Sequence, residues 1–179
     1  GMLFGTLRGG LALSVAGGRI VDGIDWIHET DSAGTIFSPV NNDIDFATAT
    51  ANARLAISDL FAFRGGGSYH FVDYLDNDND AYTPEYQAFA GGELHVFWYQ
   101  KLIHFYAYGE VVYTGPYDGY AQEGLGEEAV LNGKLSFRMG DFRFHWVVQN
   151  MLTNDYSARE YFPSSGRYNY YGFTWDFLD

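Results

Sequence analysis

Apolar and polar residues alternate with a period of two along most of this chain, and helical periodicity is scarce. At the end, Tyr171, Phe173, Trp175 and Phe177 share one side, and Tyr170, Gly172, Thr174 and Asp176 the other. Phe142, Phe144, Trp146 and Val148 alternate with Arg143, His145, Val147 and Gln149. The same pattern sets Leu131, Leu135 and Phe137 against Asn132, Lys134, Ser136 and Arg138. Upstream, Phe105, Ala107, Val111 and Tyr113 oppose His104, Tyr106, Tyr108 and Glu110, and Leu94, Val96 and Trp98 oppose Glu93, His95 and Phe97. Eight strands are predicted, at 11–27, 46–57, 61–72, 88–98, 103–113, 130–138, 142–149 and 168–177.

Short turns are expected at 58–60, 99–101 and 139–141, and long loops at 28–45, 73–87, 114–128 and 153–167. Pro39, Pro84, Pro116 and Pro163 all fall in the long segments, where no ladder hydrogen bond is lost. Alternating short and long connections place every long loop at one end of an antiparallel sheet. An even strand count with an aromatic outward face adds the signature of an all-β, antiparallel transmembrane β-barrel of about eight strands. The apolar run near Leu11–Ala16 is broken by Gly9 and Gly10 and reads as the start of a strand rather than a signal peptide.

Charge sharpens this picture. The four long segments carry 15 acidic residues and only two bases, Arg159 and Arg167, which equals the net charge of −13 of the whole chain. The apolar faces of the last seven strands carry no charge. Arg54, Arg64, Lys134, Arg138 and Arg143 lie on the polar faces with Glu93 and Glu110. A lipid-facing charge costs roughly 2–4 kcal/mol at the bilayer midplane, so the polar face reads as the lumen. A soluble sandwich would instead have to pack Phe and Trp from seven strands into one narrow interior. The acidic balance argues against nucleic acid as a partner. The absence of cysteine excludes disulfides, zinc thiolates and thiol catalysis. No apolar run is long enough for a transmembrane helix.

Candidate chemistry is sparse. Asp76, Asp78 and Asp80 present alternating carboxylates that could face a calcium ion, but the glycine turn and distal Glu of a helix–loop–helix site are missing, and a solvated acidic loop is expected. Glu93, His95, His104, Tyr106 and Glu110 could form an acid–base or metal group. Opposite Arg54, Arg64, Lys134, Arg138 and Arg143 they are expected to form a hydrogen-bonded ionic network filling the lumen. Gly65-Gly66-Gly67 lies within a strand and reads as close packing or a bulge, not a phosphate cradle. No nucleophile–base order is recognisable, so no catalytic residue, cofactor or resident metal is expected.

Several stretches resemble the end of TonB-dependent outer-membrane receptors. They are Leu131–Leu135, then Val148-Gln149-Asn150-Met151-Leu152-Thr153-Asn154-Asp155-Tyr156, then Pro163-Ser164-Ser165-Gly166-Arg167, then the aromatic strand Tyr168–Phe177. Arg19-Ile20-Val21-Asp22-Gly23-Ile24-Asp25-Trp26 and 41–55 look like earlier strands of that family. Leu178 and Asp179 depart from its usual aromatic terminus. The resemblance implies a bacterial outer-membrane location, outer-membrane lipid and the barrel-assembly machinery as partners, and uptake of a nutrient such as a metal chelate, vitamin or glycan. It also implies a parent barrel of about 22 strands with a plugged lumen. Residues 1–179 would then be one fragment-like barrel domain without a plug. A closed eight-stranded barrel is expected; otherwise a second copy or upstream strands must pair its edges. Two alternatives are a self-contained barrel with a structural or adhesive role and, with His70, His95 and His104 as candidates, a lipid-modifying enzyme.

Overall fold

The computed structural model describes residues 8–31, 34–75, 83–99, 102–119, 125–154, 157–159, 162–163 and 166–176. They form strands and turns, with no helix among them. The long strands are β1 (Arg8–Asp31), β2 (Gly34–Ala56), β3 (Phe61–Tyr74), β4 (Tyr86–Trp98), β5 (Ile103–Thr114), β6 (Glu128–Met139), β7 (Phe142–Gln149) and β10 (Tyr168–Trp175). They make one antiparallel sheet in the order β1-β2-β3-β4-β5-β6-β7-β10, while β8 (Ser157–Arg159) and β9 (Phe162–Pro163) form a separate small hairpin. Neighbours in sequence are therefore neighbours in space, as tight turns between alternating strands require.

Register carries the two-faced pattern across the whole sheet. Leu13 pairs with Ala51, Ala51 with Gly67, Gly67 with Ala88 and Ala88 with Tyr113. Val111 pairs with Leu131, Leu135 with Trp146 and Trp146 with Tyr171. A slip of one residue anywhere would have turned an apolar row into the polar face. The apolar side is the open one: Val15 is 82%, Phe173 76% and Trp175 59% exposed. The only buried hydrophobic residues among those described are Ala62, Leu125 and Val148. The sheet is a wall one layer thick, not a shell around an apolar core.

The apolar side has the dimensions of a membrane band. From Ile103 to Tyr113 the strand rises about 33 Å at ~3.3 Å per residue. A tilt of about 40° lowers that to about 25 Å, the band height of outer-membrane barrels. Aromatic pairs mark its borders. Tyr86 stacks on Tyr113 at 6.0 Å near the loop end, and Phe142 meets Trp175 edge-on at 6.2 Å near the turn end.

Two expectations change. Residues 28–45 are not a loop: β1 and β2 continue as a paired ribbon to Asp31 and Gly34. A bulge between Ile20 and Gly23, with Asp22 at φ 54° and its N–H donating to Asp43 Oδ1 at 2.9 Å, interrupts the alternation. Pro39 sits in β2 opposite Trp26, where only the β1 side of the strand is paired, so its missing N–H costs no ladder bond. Secondly, closure does not occur: among the described residues β1 and β10 remain the two edges of an open sheet. One edge strand runs 24 residues and the other 8, so direct pairing would leave most of β1 unmatched.

Candidate functional site on the polar wall

The turn after β2 brings Arg54 and Arg64 directly opposite each other. Two like charges at that spacing repel, and the next strand supplies the remedy. Glu93, opposite Ala62, accepts from Arg54 at 2.9 Å and lies 3.6 Å from Arg64. Gly91, opposite Arg64, leaves room for β5: a Cβ there would meet Gly109 O at 2.7 Å and the Tyr108 ring at 3.2 Å. Into that space comes Tyr108, with the Arg64 guanidinium 4.4 Å from its ring centroid and Arg64 Nε donating to its hydroxyl at 3.0 Å. Tyr108 in turn donates to Glu110. The result is a continuous chain, Arg54–Glu93–Arg64–Tyr108–Glu110, across four strands. Tyr108 was not singled out by the sequence reading, although it shares the polar face with Tyr106 and Glu110.

The other predicted network members sit elsewhere. His95 lies among rings, 4.2 Å from Phe97, 5.9 Å from His104 and 6.0 Å from Tyr106. Arg138 faces His104 and Arg143 in the register, and its Nε donates to Gly140 O at 3.1 Å. Arg143 approaches Asp176 at 3.6 Å. Lys134 lies opposite Tyr108 and Val147, with no ion pair among the described residues. Arg54, Arg64, Glu93 and Glu110 thus come together, while His95, Lys134, Arg138 and Arg143 do not join them.

Beside the ionic chain a groove of about 360 Å³ is lined by Thr50, Asn52, Ser68, Gln87 and Glu110. Close by, Gly66 has no room for a side chain, because a Cβ there would meet Asn52 Oδ1 and stand 2.6 Å from Ala51 O. The ladder runs through Gly65, Gly66 and Gly67 without a bulge, so these glycines serve close packing. Ser68 Oγ lies 2.8 Å from His70 Nε2, and His70 Nδ1 lies 3.2 Å from Thr48 Oγ1. That is a serine beside a base, but the orienting group is a neutral hydroxyl rather than a carboxylate.

At the loop end, Asn150 is almost fully buried and holds the chain beyond β7. Its side chain donates to Asn154 O at 2.8 Å and accepts from Asn154 N at 3.0 Å, while Asn132 Oδ1 accepts from Asn150 N at 3.2 Å. Asn150 has φ 51°, a left-handed geometry that Asn tolerates better than most residues. Above the band Arg19 makes a two-pronged pair with Asp45 at 2.7 and 2.6 Å, which raises the Arg19 pKa and lowers that of Asp45. Glu128, the first residue of β6, lies opposite Thr114 above the apolar band. Burial pushes its carboxyl up to about 7. No group of three or more His, Cys, Asp or Glu among the described residues could hold a metal ion. The candidate calcium residues Asp76, Asp78 and Asp80 lie outside the described residues.

Strand order, register and two-faced walls define the class: an all-β, antiparallel sheet of β-barrel type. No described protein family and no curated protein matches the chain. Among solved structures it is similar to the copper transporter OprC, with a TM-score of 0.67, 16% identity and 91% of this chain covered. The chain spans 28% of that protein's length. At that identity the likeness is one of fold.

Proposed function

We propose that this chain is part of the wall of an outer-membrane β-barrel transporter of the TonB-dependent receptor type. The observation that carries this reading is the unbroken apolar face, held in register through seven strand pairings and bordered by aromatic pairs. Lipid is the surrounding that makes such a face stable, and water is not. The open edges favour a wall segment over a self-contained eight-stranded barrel, because unpaired backbone groups are untenable in lipid. The fold likeness to a much longer copper transporter supports the same reading. The resemblance at Asn150–Tyr156 and Pro163–Arg167 supports the receptor type. The ligand class is a scarce nutrient taken up from outside the cell, and no catalytic role is assigned to the polar wall.

The test is extraction and gel mobility. The full-length protein should require detergent and run as a heat-modifiable band, with intact migration before boiling and slower migration after it. A protein that stays soluble without detergent would refute the membrane reading. These residues expressed alone should support no TonB-dependent uptake; uptake by them that is lost when TonB is removed would overturn the segment assignment.

A further inference from the structure

One carboxyl group is unexplained by the ionic chain of the wall. Glu128 Oε2 is closed off from solvent, and no hydrogen-bond donor among the described residues reaches it. It borders a cavity of about 250 Å³ between β5, β6, β7 and β10. Around it stand Thr114, Asn132, Gln149, Asn150 and Tyr168, polar but uncharged, with Val112 and Val130 completing the lining. Holding a carboxylate oxygen out of water without a partner is costly, and a lumen-facing wall offers that partner only from the lumen. Arg54 and Arg64 are engaged by Glu93, and Arg143 by Asp176. None of these bases lines the cavity.

We propose that this cavity is a subsite for a small ligand bearing a protonated amine, with Glu128 as its counter-ion and the surrounding amides and hydroxyls as hydrogen-bond partners. The inference rests on the transporter reading and narrows its ligand class. Two features set the sign of the ligand. The one ionisable carboxyl lining the cavity has no cationic neighbour there. The chain as a whole carries a net charge of −13, a field that concentrates cations and repels anions. The volume lies just below the usual range of small-molecule sites, so a single ring or an amine-bearing tail fits.

Three probes of one shape separate the terms: glucosamine as the cation, glucose as the neutral polyol and glucuronate as the anion. Calorimetric titration at pH 7, where the glucosamine amine is mostly protonated, into the full-length detergent-extracted protein should rank them in that order. Glucosamine should bind about tenfold or more tighter than glucose, the scale of a hydrogen bond to a charged group. Glu128→Gln should erase the preference, while Glu127→Gln, at an exposed position, should leave it intact. Glu128→Asp keeps the charge, so it should keep the ranking at weaker affinity; it decides the matter if the glutamine variant does not fold. Absence of any preference, or a preference that survives in Glu128→Gln, overturns the subsite. Heat-modifiability is scored on the same samples, so a failed subsite in an intact barrel is distinguishable from a failed barrel.

Discussion

Leu94 offers a direct measure of what surrounds the apolar face. It lies on β4 near the middle of the band, paired with Phe61 and Ala107, and is 37% exposed. Replacing it has two separable costs. Leu94→Ala removes side-chain packing alone, about 1 kcal/mol for a side chain only partly covered by its neighbours, whatever lies beyond. Leu94→Arg loses similar packing and adds a charge. If lipid lies beyond, the added charge costs a further 2–4 kcal/mol or about that near the midplane, a roughly 30- to 1,000-fold shift of the folding equilibrium. If water lies beyond, the two variants should differ by no more than about 0.5 kcal/mol. His95→Arg, one residue on and facing the polar side, is the control and should cost less than about 1 kcal/mol. The assay is urea unfolding in phospholipid vesicles, read from the fraction that migrates as the compact band. Equal stability of Leu94→Arg and Leu94→Ala, or a larger loss in His95→Arg, would refute the assignment of faces.

Other outcomes follow from the wall and its loop end. Glu93→Gln should leave Arg54 and Arg64 opposed without their bridge; with both arginines half exposed the loss should be about 0.5–1 kcal/mol and should shrink as salt is added. Gly66→Ala should destabilise by about 1–3 kcal/mol, because Ala51 O cannot retreat from a Cβ, whereas Gly10→Ala should be near neutral in the same urea titration since nothing lies within 4 Å. Asn150→Ala should cost about 2–4 kcal/mol and open residues 150–154 to proteolysis, and Asn150→Gly should recover the part due to φ 51° but not the lost hydrogen bonds. Glu128, raised to about 7, binds its proton more tightly when folded, so its contribution is full below the ordinary Glu pKa of about 4.3 and is lost as pH rises through 7. Glu128→Gln should flatten that decline in an unfolding series from pH 4 to 8. Asp45 has the opposite sign: its lowered pKa makes it favour folding above about 4 and lose that contribution on acidification, which Asp45→Asn should abolish.

The faces of the sheet were legible because strand periodicity is local and charge is kept off one face along the strands. Trp98, Phe105, Leu135 and Phe173 therefore announce their side without any knowledge of partners. The β1–β2 ribbon was not legible. Its bulge at Ile20–Gly23 shifts the alternation by an odd step, and Pro39 reads as a loop residue until it is known that one flank of β2 is free. Closure is set by strand number and stagger over the whole sheet, which no short window contains. In the site, the side on which Arg64 and Glu93 lie was readable, but the partner choice was not. That choice depends on Gly91 admitting Tyr108, a contact between strands. Glu128 counted in the sequence as one more loop acid, and only the three-dimensional position of Thr114, Gln149 and Tyr168 sets it apart.

The unequal reach of the first hairpin has a practical consequence. β2 gains its second neighbour at Asp43, whose carbonyl accepts from Leu75 N, so Gly34–Asn42 pairs with β1 alone and rises about 26 Å along the strand beyond the shared sheet at ~3.3 Å per residue. In the outer-membrane wall proposed above, such a stalk extends beyond the shared sheet on the loop side. The junction between Asp31 and Gly34 is accordingly the natural place to splice in an epitope tag, displayed outside while every rung of the eight-stranded wall below is left undisturbed.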